Sequence, residues 1–455
     1  MEKLTMEQIS NYCKHYGFIY PGSEIYDGFA NTWDFGPLGS RMLNNIKDCW
    51  RKRFIQQREG SYEIDCGIIM NPKVWEASGH AKSFNDPQVD CKECKKRYRA
   101  DHLISYFTKE VDPDLMTYEE MNKYIKENIT CPNCGKANFT DLKEFDLMFK
   151  TYRGTISDKK IEIYLRPETC QGEYINFQNV LRTTREKLPF TIAQIGKSFR
   201  NEVTPGNFLF RTIEFEQMEL QTFCKPGEDK AIFDFNREQS MKFLTDLGVN
   251  PENLRFKDHD KLVFYASAAT DIQYKFPTGW DELWGIHNRT NYDLSQHSKF
   301  SGKDLSYLDK ETKEKYIPYI IETSVGVGRM MLTFLCDALK SEKLEDGSTR
   351  EVLKLHPSLS PYKVAVLPLM KKIHSEKAKE VYNKLSNYFM CTIDECSSIG
   401  KRYRRQDAIG TPFCITIDDS TLENNTVTVR DRDTMKQITM DIDSIPCYVI
   451  DKIMF

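Results

Sequence analysis

Leu38, Met42, Ile46, Trp50 and Phe54 recur every four residues after Gly36-Pro37. That apolar period predicts an amphipathic helix ending near Gly60. The period then switches to two. Tyr62, Ile64, Cys66, Ile68 and Met70 alternate with polar positions such as Glu63 and Asp65, which predicts a strand. Pro72 stops it, because proline cannot donate to a ladder. Further strand-like stretches fall at 161–165, 189–199, 208–223, 262–276, 280–287 and 316–325, with helices near 170–186 and 229–247. Such a density of strands predicts a mainly antiparallel sheet flanked by helices, an α+β domain. Residues 330–339 read as a buried helix and 341–351, charged and loop-like, as a linker. After Pro361 strands at 363–369, 412–418 and 426–432 alternate with a helix at 375–389. This is the pattern of a separate α/β domain. Segment 91–150 is more polar than its surroundings and reads as an insertion.

Bulk composition changes this picture only at the margins. A chain of 455 residues with 40% hydrophobic and 29% charged residues is ordinary globular material for two or three domains. The net charge of −3 gives no long-range attraction for nucleic acid, so an RNA partner would need a local basic face. The first twenty residues lack the apolar core of a secretion signal, and no apolar run approaches the roughly 18 residues of a membrane span. Fourteen cysteines are too few for a disulfide scaffold of this length. Ten occur singly and read as small core residues, which points to a reducing, cytoplasmic setting.

The chemistry gathers in three places. Phe-Arg-Asn-Glu at 199–202 leads through the turn at 203–207 into Phe-Arg-Thr-Ile-Glu-Phe at 210–215. In extended chain, residues two apart share a face, so Arg200 pairs with Glu202, and Arg211, Phe215 and Glu219 follow on the returning strand. Arginine forks suit phosphate oxygens, a phenylalanine face suits adenine, and a glutamate accepts from an amino group. Arg166-Pro-Glu-Thr adds another arginine–acid pair. Glu322-Thr-Ser-Val-Gly326-Val-Gly328-Arg329 ends a strand and opens a helix, whose N-terminus attracts anions. Together these residues predict a site for ATP beside a small zwitterion, and hence an adenylating enzyme.

These elements resemble motifs 1, 2 and 3 of class II aminoacyl-tRNA synthetases: motif 1 at about 38–72, motif 2 at about 190–223 and motif 3 at about 316–339. Asp34-Phe-Gly-Pro-Leu-Gly39, Trp75-Glu-Ala-Ser-Gly-His80, Arg166-Pro-Glu-Thr169, Trp284-Gly-Ile-His287 and Glu322-Thr-Ser-Val-Gly326 resemble the glycyl-tRNA synthetases of the homodimeric type. The resemblance spans nearly the whole chain. It implies a catalytic domain at 1–90 and 151–350, an inserted segment at 91–150 and an anticodon-binding domain at 358–455. It also implies a homodimer that takes glycine, ATP and tRNA(Gly), with no membrane partner. Arg200 would hold the α-phosphate and the attacking carboxylate, with Arg329 as the second catalytic arginine. Arg211 and Arg329 would hold the outer phosphates, Glu202 would meet the adenine amino group, and Phe215 would stack on the ring. Asn201, Phe210, Leu283, Gly326 and Gly328 complete the implied ATP site, and Glu282 is the implied Mg²⁺ ligand.

Glycine offers no side chain to grip. The resemblance implies that Glu168, Glu219 and Glu322 cage its ammonium, that Ser324 closes off its α-carbon, and that Arg99 and Glu216 lie nearby. Three carboxylates without a cation should raise one another's pKa. Cys91-Lys-Glu-Cys94 and Cys131-Pro-Asn-Cys134 have the spacing of a four-cysteine zinc site, which would be structural. Lys401, Arg402, Arg404 and Arg405 cluster around Tyr403, which suits phosphate contact and base stacking in RNA. Three other readings compete. One takes 91–150 and the basic C-terminal region as an RNA-binding module only, which leaves the ATP constellation unexplained. A class II ligase for another small amino acid is disfavoured by the Glu168/Glu219/Glu322/Ser324 set. A synthetase-like regulatory or accessory protein is disfavoured by the presence of Arg200, Arg211 and Arg329.

Overall fold

A computed structural model describes residues 4–108, 110–154, 160–202, 206–260, 262, 266–344 and 347–455. Its centre is a seven-stranded sheet. The strands in chain order are β1 (Ser61–Glu63), β2 (Phe190–Phe199), β3 (Glu214–Cys224), β4 (Leu254–Asp258), β5 (Ala268–Phe276), β6 (Gly279–Asn288) and β7 (Tyr319–Gly326). In space the order is β4-β5-β6-β7-β3-β2-β1. Every pairing is antiparallel except β1 with β2. One face is covered by α1 (Pro37–Arg51), α2 (Asp229–Asp246) and α3 (Val327–Ala338). The four-residue period of α1 buries Leu38, Met42, Ile46 and Trp50, and a π-turn at Lys52–Gln56 carries Phe54 into the same core. Gly39 lets this helix pack against backbone: a Cβ there would stand 1.9 Å from the Phe18 carbonyl oxygen. On the other face, helices Cys170–Ile175, Phe177–Thr184 and Tyr292–Ser301 pack over Phe190, Ile192, Phe223 and Ile320 at one end, and the rest is left for the site.

The strand expected over 62–70 pairs only through Ser61–Glu63. Its facing is as the alternation indicates, since Tyr62, Ile64, Cys66, Ile68 and Met70 are half-buried and the residues between them exposed. Beyond Ile64, whose N–H still reaches the Ala193 carbonyl, ladder bonds give way to side-chain bonds. Arg166 takes the Cys66 carbonyl at 2.7 Å. The expected linker at 341–351 is instead part of an antiparallel pairing of Leu339–Lys343 with Thr349–Leu353. The turn expected over 203–207 has its first three residues outside the described set. So have residues 261 and 263–265 at the start of the expected 262–276 strand, where β5 begins at Ala268.

The polar segment forms a small unit of its own. Asn85–Asp90 pairs with Arg97–Arg99 and Lys143–Asp146. Helices Ala100–Phe107 and Tyr118–Asn128 close over Val89, Leu103, Ile104 and Ile125. The C-terminal region is an α/β layer. Its strands are β8 (Val364–Pro368), β9 (Cys391–Ile393), β10 (Phe413–Ile417), β11 (Thr426–Asp431) and β12 (Gln437–Asp441), in spatial order β9-β8-β10-β11-β12. Its first helix, α4 (Lys371–Leu385), lies four residues ahead of the expected 375–389. The basic segment forms α5 (Ile399–Ala408). Six of the ten single cysteines are buried, as their apolar character suggests.

Candidate active site

The open face of the sheet, together with residues 22–35 and 78–84, lines a cavity of about 1010 Å³. Of the expected site residues, Arg200, Glu202, Phe210, Arg211, Phe215, Glu282, Leu283, Gly326, Gly328 and Arg329 line it, and so do Glu168, Glu216, Glu219, Glu322 and Ser324. Two do not. Asn201 turns away, its N–H on the Leu147 carbonyl and its amide on the Asp146 carbonyl. Arg99 is held in the inserted unit by Asp86 and Asp101, one ion pair removed from the cavity. Arg166 is also no wall residue. It lies buried under β2, donating to the Lys197 and Cys66 carbonyls at 2.6 and 2.7 Å.

At one end the arginines are aimed by backbone and rings. Arg200 Nε donates to the Pro167 carbonyl at 3.1 Å, and its guanidinium stands 5.5 Å from the rings of both Phe84 and Phe215. Arg329 lies 4.2 Å over Phe210 and donates to the Glu282 carbonyl at 2.9 Å. Arg211 precedes β3 and instead bridges to Gly206, so the shared-face argument holds for Phe215 and Glu219 but not for Arg211. Its guanidinium grips Glu202 at 2.6 Å and reaches Asp86 at 3.5 Å. Glu202 and Arg211 thus hold each other, as a buried carboxylate requires. Glu282 reaches the cavity through a bulge. The β5–β6 register slips between Ile272 and Gln273, which face Trp284 and Glu282 respectively. A bulge re-aims side chains, and both Glu282 and Leu283 join Gly285 and His287 on the cavity wall.

At the other end stand the three acids, each with different partners. Glu219 lies opposite Ser324 across β3 and β7. It accepts from Ser324 Oγ at 2.7 Å, Gln217 at 3.0 Å, and the Thr169 N–H and hydroxyl. Burial, then the charges of Glu322 and Glu168, push its carboxyl up to about 7. Glu322 accepts from Arg289 at 2.9 Å and Tyr174 at 3.2 Å, and lies 3.4 Å from His287 Nδ1. Burial pushes Glu322 up, but Arg289 and His287 more than reverse it. Burial likewise pushes Glu168 up, and His80, 3.4 Å away, together with Arg289 holds it well below the usual range. Burial pulls His287 down, and the Glu322 carboxylate outweighs it, so this imidazole sits above its ordinary value. The mutual rise expected of all three acids therefore falls on Glu219 alone. Glu216 is neutralised by Lys47 of α1 at 3.1 Å.

Sequence patterns alone give no role to Arg289, His287, His80 or Gln217. The first carries a signal: Arg289 and Asp293 stand four apart just after β6, and Arg289 grips Asp293 at 2.8 and 3.0 Å. The histidines close the quoted Trp75–His80 and Trp284–His287 strings, but their carboxylate partners lie far away in sequence.

Cys91, Cys94, Cys131 and Cys134 offer four sulfurs within 4.8 Å of one another. Cys91 to Cys134 is 3.5 Å and Cys94 to Cys131 is 3.6 Å. Thiolates on a tetrahedral zinc with bonds near 2.3 Å stand about 3.8 Å apart, so the donor set fits. Each pair is built alike: Lys95 and Gly135 follow the second cysteine with positive φ and donate to the Cys91 and Cys131 carbonyls at 2.9 and 2.8 Å. Burial raises Cys131, but the Tyr98 hydroxyl and nearby backbone N–H groups outweigh it and bring the thiol to about 6.

The basic cluster does not form one RNA face. Arg402 is buried and donates to the Ser397 and Pro368 carbonyls. Arg405 grips Asp394 at 2.7 Å, and Tyr403 packs on Arg430 with its hydroxyl on Thr416. One side of α5, marked by Arg402 and Gln406, is buried, leaving Lys401 and Arg404 exposed on the other.

Residues 149–337 match the family model for the tRNA synthetase class II core domain (G, H, P, S and T), and residues 363–452 match that for an anticodon binding domain. Similar curated proteins include the glycine–tRNA ligase of Clostridium tetani, 55% identical over 99% of both chains. That of Caldanaerobacter subterraneus subsp. tengcongensis is 56% identical over 100% of this chain and 99% of its own. That of Geobacillus kaustophilus is 54% identical over 99% of this chain and 100% of its own.

Proposed function

The chain belongs to the class II glycine–tRNA ligases, and from that premise we propose how its cavity activates glycine. The protein joins glycine to ATP as glycyl-adenylate and then passes the glycyl group to the 3′ end of tRNA(Gly). The observation that carries the site assignment is Glu219, a buried carboxylate whose donors Thr169, Ser324 and Gln217 are all neutral. It faces the same cavity as Arg200 and Arg329. An ammonium is the cation that this carboxylate calls for, and phosphates are the anions that suit the arginines.

Glycine is held with its ammonium against Glu219, flanked by Glu168 and Glu322. Ser324, fixed on Glu219, stands where a larger amino acid would put its Cβ. One carboxylate oxygen of glycine attacks the α-phosphorus of ATP. The new P–O bond forms as the bond to pyrophosphate breaks. Arg200, steadied by Pro167, spans the glycine carboxylate and the α-phosphate, and Arg329 holds the leaving pyrophosphate. Phe215 supports the adenine. Release of Arg211 from Glu202 lets each meet its part of ATP, the phosphates and the adenine amino group. Glu282, half exposed on the cavity wall beside Arg329 at 3.4 Å, suits a hard cation that keeps most of its waters. Mg²⁺ bound there supplies positive charge to the phosphates. In the second step a terminal ribose hydroxyl attacks the glycyl carbonyl. The ester forms, AMP leaves, and its phosphate takes the hydroxyl proton. The chain supplies position and charge, with no covalent intermediate on the protein.

The protein acts as a homodimer in the cytoplasm. Support for the dimer is the short edge strand β1 and the segment after it, where Ile69 is 57% exposed. Among the described residues no helix is long and apolar enough to cross a membrane. The test of the site is amino-acid-dependent ATP–pyrophosphate exchange across all twenty amino acids. Exchange with glycine alone is expected, and Arg200→Ala should lower it by about 100-fold or more. Exchange with another amino acid, or an Arg200→Ala variant near wild type, would overturn the assignment.

A further inference from the structure

Beside the three acids lies a second group of side chains with metal-ligating atoms, and none of them contacts glycine or ATP in the reaction described above. His259, Asp271 and His287 each offer one ligand atom, all within 4.8 Å of one another. Strand register puts them there. His259 follows β4 directly, and its N–H donates to the Ala269 carbonyl at 3.0 Å. Ala269 pairs in turn with His287. The three residues therefore form one row across β4, β5 and β6, with the two imidazoles leaning over a small alanine, ring centroids 6.1 Å apart. Asp271 lies two residues beyond Ala269 and so on the same face. Its carboxylate is 2.8 Å from His259 Nε2. Opposite it stands Gly285, where a Cβ would come within 2.8 Å of His287 Cε1. Ala269 and Gly285 clear the space that the rings occupy.

The row continues into the amino-acid cage. His287 pairs with Glu322 on β7, and its Nδ1 lies 3.4 Å from the Glu322 carboxylate. A histidine turned to a carboxylate through one nitrogen presents the other to a metal, as metal-bound histidines do. Two imidazoles and one carboxylate select a transition metal of the zinc class over Mg²⁺ or Ca²⁺, and three protein ligands leave a position for water. With bonds near 2.0 Å, ligands on a tetrahedral ion stand about 3.3 Å apart, so side-chain shifts of about 1 Å complete the site.

We propose that His259, Asp271 and His287 bind a zinc-class divalent cation that weakens glycine binding through Glu322. The ion replaces the His259–Asp271 hydrogen bond and fixes the remaining His287 proton on Nδ1, facing Glu322. Its positive charge then opposes the glycine ammonium. Filling the site raises KM for glycine several-fold and leaves KM for ATP unchanged. The coupling is reciprocal, so glycine weakens the metal. This coupling rests on the glycine-cage reading, whereas the binding of the ion does not.

The test uses the full chain with the four-cysteine cluster first filled with zinc, titrated with Co²⁺. One further equivalent is expected, with weak ligand-field bands and no thiolate charge-transfer band. His259→Ala, and His259→Gln as a second variant at this exposed position, lose that equivalent while keeping exchange activity in the absence of added metal. Added Zn²⁺ raises glycine KM in the wild type and not in the variants. No second equivalent, or one that survives both variants, overturns the site. A second equivalent lost in the variants with unchanged glycine KM in the wild type overturns the coupling. The stoichiometry is read without turnover, so a failure of the glycine assignment leaves it standing.

Discussion

The raised carboxyl of Glu219 makes glycine affinity depend on pH. This group is pushed up to about 7 by burial and by Glu322 and Glu168. An ammonium beside it favours the carboxylate, so binding near neutrality releases a proton. The sign follows. Below 7 the acid is protonated in the free enzyme and binding must ionise it, so KM for glycine falls as pH rises and levels off above about 8. For one group the apparent constant scales as 1 + 10^(pKa − pH). Between pH 8 and pH 6 this gives a rise of about tenfold, equivalent to about 1.4 kcal/mol of binding free energy. The assay is ATP–pyrophosphate exchange at pH 6, 7 and 8 with glycine varied, and ATP varied in the same buffers as the control. His287 also lies above its ordinary value and loses its charge in the same direction. Glu219→Gln separates the two: the slope disappears if Glu219 carries it and remains if His287 does. A glycine KM that stays within about twofold from pH 6 to 8 would refute the reasoning, since Glu219 would then not face the ammonium.

Other consequences concern stability and partners. Gly196→Ala puts a Cβ 2.2 Å from Arg166 Nη2, a buried group held by two carbonyls. Urea unfolding should show a loss of about 1–3 kcal/mol, and a change under ~0.5 would mean that Arg166 can move aside. Arg402→Ala strands the Ser397 and Pro368 carbonyls and should also cost about 1–3 kcal/mol, without altering glycine-dependent exchange. Arg404→Ala, on the exposed side of the same helix, should raise KM for tRNA and leave stability and exchange alone. Equal effects of the two variants on tRNA would contradict the division of α5 into a buried and an exposed side. The protein purified without chelator should carry about one zinc per chain, and Cys131→Ser should lose it and expose residues 91–142 to protease. Less than half an equivalent in the unmodified protein would rule out zinc at the four cysteines.

The legible parts of the sequence share a property: they are local. A four-residue period marks the buried stripe of α1, and alternation marks the facing of residues 62–70, because both follow from backbone geometry over a few positions. Fixed strings at short spacing carry the arginines, the acids and the cysteine pairs. The misreadings are equally physical. Facing does not reveal whether a strand has a neighbour to pair with, so the segment after Glu63 reads as part of a ladder it does not join. A charged stretch such as 341–351 does not show that Leu339 and Leu353 will pair. A run of basic residues does not show which side of α5 is buried, and Arg402 faces the sheet rather than solvent.

The sequence by itself determined the family, the α+β class with its added α/β domain, and the chemical inventory of the cavity. Only the tertiary structure decided how that inventory is shared out. Glu168 takes His80, Glu322 takes Arg289 and His287, and Glu219 is left with neutral donors. Those partners are chosen by a strand order in which β6 and β7 become neighbours, and by a bulge that swings Glu282 to the cavity. Charges and burial act over a few ångströms in space, whatever the distance along the chain. Which of three similar acids stays protonated near neutrality is therefore a property of the folded sheet.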